Sequence, residues 1–315
     1  MRVLWSAIIR DRHRFCLSPK RSLQAVKIKF KRSKLMRIIE KQVPDTCDIV
    51  LHGDTHLGTR MCHLNGIQRL IRWIKAKPDR YFVHMGDAIE AIVVDDKRFD
   101  IDTTDEPKPL KQAKKIIQIY KPVAERGLAW LKGNHEFKLD RVGDLAEFMA
   151  DELGVSYGTW TCKLRLVDPK KKQICKMFLT HGFRGRISSN AKDYEQRTAN
   201  MKASLKNKLV HKAGDCLVMA MGHTHLLMVV DPAERLILSD DGGEIRQNYL
   251  RAGDGASPYI EPDRRWYVNT GAFLKLYQAG VDGYAERAGY DPVELGYVMV
   301  RIKNGKVESV KKVVI

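Results

Sequence analysis

The sequence predicts an α/β fold in which a parallel sheet from the first half is packed by a second, mixed sheet from the second half. Three observations predict it. Up to residue 153, short apolar runs alternate with helical stretches. After residue 160, strand-length runs follow one another with a single long helical stretch among them. Five short polar blocks sit where apolar runs end, the place where open α/β sheets gather their functional groups.

The elements follow in order. Residues 47–52 (CDIVLH) read as a buried strand. Residues 65–77 carry Ile67, Leu70, Ile71 and Ile74 at helical spacing. Residues 81–85 (YFVHM) are the next strand. An acidic, irregular stretch spans 95–106 and is closed by Pro107 and Pro109. Residues 110–126 predict a helix and 128–131 a strand. Residues 141–153 predict a helix with Leu145, Phe148, Met149 and Leu153 on one face. In the second half, 161–167, 175–180, 215–221, 226–230, 266–268, 296–302 and 307–314 are strand candidates. Residues 169–172 (PKKK) and Asn304-Gly305 read as hairpin turns. The basic stretch 192–212 reads as the one helix among these strands. Residues 231–263 are polar and Gly-rich, and read as an insertion or long loop near the functional site.

A chain of 315 residues that is 44% hydrophobic suffices for one large core. Its 56 Lys and Arg against 38 Asp and Glu leave a net charge of +18, which favours polyanionic partners such as nucleic acid, nucleotides or an anionic surface. Residues 1–45 hold 13 of those basic residues and only three acids, Asp11, Glu40 and Asp45. They read as a basic N-terminal extension, either a disordered, solvated tail or an arm that tracks phosphates, with Met36 as an alternative start. Residues 46–315 then form one domain with a polar insertion at about 231–263. Cys16, Cys47, Cys62, Cys162, Cys175 and Cys216 are scattered without a CxxC pair, which argues against a disulfide framework or a thiolate zinc site. The charged run after Ile9 makes a poor secretory signal, and no run approaches the roughly 18 apolar residues of a membrane span. The expected location is cytoplasmic.

The five blocks are Asp54-Thr55-His56, Gly86-Asp87, Gly133-Asn134-His135-Glu136, His181-Gly182 and Gly222-His223-Thr224-His225. Carboxylate, imidazole and amide oxygen make a mixed N/O donor set without thiolate. It suits Mn, Fe, Zn or similar divalent ions, with Mn favoured here. Two such ions about 3.5–4 Å apart clamp a phosphoryl group and activate water. The other histidines, His52 and His84 among them, read as packing or supporting groups.

The set D-x-H, G-D, G-N-H-E, H and G-H-x-H resembles the calcineurin-like metallophosphoesterase superfamily, over about residues 47–300. The resemblance implies a four-layer α-β-β-α sandwich of two mixed β-sheets flanked by helices. It implies that Asp54, His56 and His225 bind one metal ion and Asn134, His181 and His223 the other, with Asp87 bridging. His135 resembles the residue that contacts the phosphate and protonates the leaving oxygen. Tyr267-Val268-Asn269-Thr270-Gly271 resembles the Asn-x-Gly block that often follows G-H-x-H. Arg184 and Arg186, just after His181, are candidates for holding a phosphoryl oxygen.

The favoured activity is phosphodiester hydrolysis on a nucleic acid or nucleotide. The charge supports it, as does Asp54-Thr55-His56-Leu57-Gly58, which resembles the recombination-repair exonuclease branch. The alternative is a phosphomonoesterase acting on small phosphoesters or phosphoprotein. Glu136 resembles the variant seen in serine/threonine protein phosphatases, although Gly86-Asp87-Ala88-Ile89-Glu90-Ala91 lacks the Arg those enzymes carry after the Asp. A non-catalytic scaffold would have lost ligand positions, and here every one is filled. RNA-lariat debranching enzymes are similar but tend to carry Cys where this chain has His56.

Overall fold

A computed structural model describes residues 36–182, 185–281 and 283–315. The basic segment 1–35 lies outside the described residues. In chain order the elements are β1 (Arg37–Gln42), β2 (Cys47–His52), α1 (Leu64–Lys75), β3 (Arg80–His84), α2 (Pro109–Tyr120), β4 (Gly127–Trp130), the single turn α3 (Asn134–Phe137) and α4 (Leu145–Leu153). Next come β5 (Thr161–Val167), β6 (Gln173–Thr180), α5 (Tyr194–Leu209), β7 (Val218–Met221) and β8 (Leu227–Val230). The chain closes with β9 (Arg235–Asp241), β10 (Glu244–Leu250), β11 (Trp266–Thr270), the short α6 (Tyr284–Arg287), β12 (Gly296–Lys303) and β13 (Lys306–Val314).

Both large sheets are mixed. One has the order β13-β12-β2-β3-β4, with β2, β3 and β4 parallel and β12 antiparallel to β2. The other has the order β1-β5-β6-β7-β11-β8, with β6, β7 and β11 parallel. Side chains alternate across each strand, and the alternation separates three apolar layers. Ile49, Leu51, Val83, Leu164, Met177, Val218, Ala220, Val268 and Val300 fill the space between the sheets. Val50, Phe82 and Trp130 point the other way, onto Ile67, Ile74, Ile116 and Met149 of α1, α2 and α4. Phe178, Met219 and Tyr267 meet Leu205 and Leu209 of α5. The result is the expected α-β-β-α sandwich. The three parallel strands of one sheet and β6 and β7 of the other deliver their carboxyl ends to one common edge.

Four local differences have physical causes. Residues 36–45, grouped by charge with the N-terminal extension, instead carry β1, which pairs in parallel with β5 from Arg37↔Cys162 to Gln42↔Val167. As an edge strand it buries only Ile39 fully and exposes most of its charges, so its sequence resembles a tail. The predicted helix 110–126 breaks at Tyr120 because Pro122 has no N–H to return to the preceding turn, and Lys121–Arg126 tightens to 3₁₀. The predicted helix 141–153 starts at Leu145, where the Asp144 carboxylate accepts the Glu147 N–H at 3.1 Å. The insertion is not a loop alone. β9 and β10 pair there as an antiparallel hairpin around Gly242 and Gly243, both at positive φ. Asn304-Gly305 makes its expected turn, with φ of 51° and 70°.

Candidate metal centre

The five blocks arrive together because each follows a strand that ends at the shared edge. The loop after β2 bears Asp54 and His56, the loop after β3 bears Asp87, and the loop after β4 bears Asn134 and His135. His181 follows β6, and His223 and His225 follow β7. Their backbones are unusual. Asp54, His56, Asp87, His223 and His225 all take positive φ, between 45° and 72°. Such backbone costs on the order of 1–3 kcal/mol per residue and persists only where the surroundings impose it. Gly133 allows the closest approach, since a Cβ there would lie 2.0 Å from Asp87 Oδ1.

The donor atoms crowd one another. His181 Nε2 lies 2.9 Å from Asn134 Oδ1 and 3.2 Å from Asp87 Oδ2. His223 Nδ1 lies 2.6 Å from the same Asn134 oxygen. On the other side, His225 Nε2 lies 3.4 Å from Asp54 Oδ1 and 3.2 Å from His56 Nε2. Asp87 Oδ2 is also 3.8 Å from His56 Nε2, so this carboxylate stands between the two groups. Three-residue sets that could hold an ion are therefore Asp54/His56/His225 and Asp87/His181/His223, with His56/Asp87/His135 overlapping both.

The residues fit divalent cations. Asp54 Oδ1 is buried without a hydrogen-bond partner, an arrangement that is costly unless a cation answers it. His181 gives its Nδ1–H to the Met85 carbonyl at 2.9 Å, which turns the Nε2 lone pair toward Asn134 and Asp87. Burial opposes charge on His181, yet the Asp87 carboxylate and Asp54 push its pKa up to about 9. The negative charge gathered here outweighs the cost of burial, and a bound cation would take the place of that proton on Nε2. Asp87 resists protonation for the converse reason: burial disfavours its charge, but His181, His135 and His56 together hold its pKa well below the usual carboxylate range.

A family model for calcineurin-like phosphoesterases matches residues 47–269. The chain belongs to that family. This calcineurin-like phosphoesterase is thus a metal-dependent phosphoester hydrolase, and its crowded Asp, His and Asn donors form the candidate dinuclear centre. A crystal structure of a conserved uncharacterized protein from Streptococcus pneumoniae TIGR4, a predicted phosphoesterase, shares 12% identity with it, at a TM-score of 0.30 over 86% of this chain and 98% of that one. No curated protein matches it.

All seven expected ligand positions of this phosphoesterase converge, and His135 lies beside them with its ring 4.6 Å from that of His56. The His135 backbone N–H binds Asp87 Oδ1 at 2.9 Å, and its Nδ1–H goes to the Glu90 carbonyl. Arg184 lies outside the described residues. Arg186 has its guanidinium 4.3 Å from the Tyr290 ring centre and lines a cleft that His223 and His225 also line.

Further residues support the donors, and among them the sequence reading missed the roles of Glu90 and Arg98. Glu90 accepts the Nδ1–H of His56 at 2.8 Å. Glu136 accepts backbone N–H groups from Ala88 at 2.7 Å and Gly133 at 2.9 Å, tying the loops after β3 and β4 together. Burial and then the Asp87 charge raise the Glu136 pKa to about 7. Arg98, from the acidic stretch, reaches within 3.5 Å of His135 Nε2. Asn269 donates to Thr224 between the two histidines of the last block. His52 and His84 pack in the core, His84 stacked on Trp130 with ring centres 4.1 Å apart. Among the described residues, no helix is long and apolar enough to cross a membrane.

Proposed function

We propose that this enzyme hydrolyses phosphodiesters, with a nucleic acid or nucleotide as substrate. One observation carries the reading. A cleft of about 1640 Å³ is lined by His223 and His225, with Arg186, Lys202 and the Asp291-paired Arg197 on its walls alongside the acids Asp231 and Glu234. That volume far exceeds what a small phosphomonoester needs, and the basic surplus of the chain favours a polyanionic substrate.

In this reading Asp54, His56 and His225 hold one cation, Asn134, His181 and His223 hold the other, and Asp87 is shared. When bound, the cations supply Lewis-acid charge at phosphorus and lower the pKa of water. Manganese is the first ion to test, since the N/O donor set also accepts iron and zinc. His135 commits Nδ1 to the Glu90 carbonyl, so Nε2 is the atom that gives a proton to the departing oxygen. Arg186, and Arg184 with it, are proposed to contact the substrate's phosphates beyond the reacting one. Residues 1–35 are proposed as a basic arm that adds phosphate contacts to the domain that follows. The described cysteines are free thiols and four are buried, which supports a cytoplasmic setting.

A second reading, phosphomonoester hydrolysis, is favoured by the acidic stretch 95–106. It is tied to the loop after β2 through Arg60 N–H to Thr103 O and Asp105 N–H to Gly58 O, both 2.9 Å. An acidic rim there repels a long polyanion. The deciding experiment compares an aryl phosphomonoester with its bis-aryl diester in added manganese, then offers single- and double-stranded DNA and RNA. Preference for the diester with nucleic-acid cleavage is expected. Preference for the monoester with intact nucleic acid would overturn the proposal.

A further inference from the structure

The acidic stretch after β3 carries one arginine, Arg98, whose geometry is set by three neighbours. Its Nε and backbone N–H both reach Asp96 Oδ1, at 3.1 and 3.0 Å, and its Nη2 reaches Asp96 Oδ2 at 2.8 Å. Lys138 Nζ holds the same Asp96 oxygen at 3.1 Å. One edge of the guanidinium is therefore clamped by a carboxylate, and a clamped guanidinium keeps little rotamer freedom to lose on binding. The remaining nitrogen, Nη1, faces His135 Nε2 at 3.5 Å.

The segment that carries Arg98 is itself pinned. Thr59 Oγ1 donates to the Thr103 carbonyl at 2.9 Å, the N–H of Glu106 to the Gly58 carbonyl at 3.1 Å, and Arg287 to Asp100 Oδ2 at 2.8 Å. The first two contacts hold the stretch against the loop that bears Asp54 and His56, and the third ties it to α6. The Arg98 side chain is 38% exposed, so an incoming ligand can reach it.

His135 spends its Nδ1–H on the Glu90 carbonyl, leaving Nε2 as the ring atom turned toward Arg98. At 3.5 Å the contact from Arg98 Nη1 to His135 Nε2 is long for a hydrogen bond, so the two groups border one gap that an acceptor can enter. An oxygen can sit beside the gap at ordinary hydrogen-bond distance from each. We propose that Arg98 grips the phosphoryl group beside His135, making it a substrate-contacting residue held in position by Asp96. The inference rests on the proposed role of His135 and holds for a monoester or a diester.

The test uses inorganic phosphate as a competitive inhibitor, together with kcat and KM on whichever aryl ester is turned over. Arg98→Ala is expected to weaken phosphate inhibition and lower kcat/KM by about 10- to 100-fold each, the worth of a charged hydrogen bond. Bound metal should stay unchanged. Arg98→Lys should recover part of the phosphate affinity. Asp96→Asn should shift the same two quantities in the same direction by less. Lys97→Ala removes a neighbouring cation from the same stretch and should leave phosphate inhibition unchanged. Unaltered inhibition in Arg98→Ala, or a gain in turnover because the guanidinium merely covers His135, would overturn the proposal. So would an equal loss in Lys97→Ala, which points to a diffuse field. Because phosphate inhibition is read apart from substrate preference, a failed diester assay leaves this result interpretable.

Discussion

Glu90 Oε2 lies 2.8 Å from Nδ1 of His56, and this contact fixes which nitrogen of His56 faces the metal donors. With Nδ1–H given to the carboxylate, Nε2 keeps its lone pair for a cation and gains basicity from the anion behind it. Glu90→Ala should therefore weaken metal binding about 10- to 100-fold while leaving the ligands themselves in place. Glu90→Gln, whose amide oxygen still accepts the N–H, should lose much less. Manganese titration by calorimetry reads both. Equal affinities in the wild type and Glu90→Ala would remove the supporting role.

Asp87 and His135 separate metal binding from proton transfer. Asp87 Oδ2 sits 3.2 Å from His181 Nε2 and 3.8 Å from His56 Nε2, so its removal opens both groups of donors. Asp87→Ala should lose bound metal and activity together. His135→Ala should retain metal and lose about 10²- to 10⁴-fold in kcat, the range for a general acid. Metal content by elemental analysis, set beside turnover, distinguishes the two. A metal-replete, fully active His135→Ala enzyme would exclude His135 from proton transfer.

The sequence made the strand-end ligands legible because each motif is local: the apolar run and the polar residues it delivers are contiguous. Asp54, Asp87, Asn134 and His181 could be found that way. Glu90 and Arg98 could not, because nothing in their own neighbourhood says that one will reach back to His56 and the other will be clamped toward His135. Their roles are tertiary. β1 was hidden for a different reason: an edge strand with one solvated face does not need the apolar run that marks β2. β9 and β10 expose nearly every side chain, so no burial pattern sets them apart from a loop. The Asp144 cap and the break at Pro122 were readable from local chemistry, and the apolar periodicity around them masked both.

Gly133 gives a steric test of how tightly the loops after β3 and β4 are fitted. A methyl group there would lie 2.0 Å from Asp87 Oδ1 and 2.2 Å from the Asp87 nitrogen, neither of which can retreat without moving a candidate ligand. Gly133→Ala should destabilise the fold by about 1–3 kcal/mol, as overpacking does, and should also lower metal affinity. Gly154→Ala, at a helix end with nothing within 4 Å of the added atom, is the comparison: it carries backbone strain at φ 66° but no collision. Urea unfolding and metal titration of both variants separate the effects. Metal affinity should fall only in Gly133→Ala.

Asp215 provides a pH test remote from the metal donors. Burial alone would raise its pKa, but Lys163 Nζ at 2.7 Å and Lys176 Nζ at 2.9 Å outweigh it and hold the value at about 2. The unfolded chain titrates this group near 3.9, so folding favours the carboxylate, and the stabilisation is complete above the unfolded value. It declines as pH falls toward 2, with about half remaining at pH 3. Nearly two pH units correspond to about 2.5 kcal/mol at most, and partial exposure of all three side chains reduces this to about 1–2 kcal/mol. Asp215→Asn should therefore unfold at lower urea than the wild type at pH 7 and pH 5, with the gap about halved at pH 3. A gap that stays constant from pH 7 to pH 3 would show that the two lysines stabilise Asp215 by packing and neutral hydrogen bonds rather than by charge.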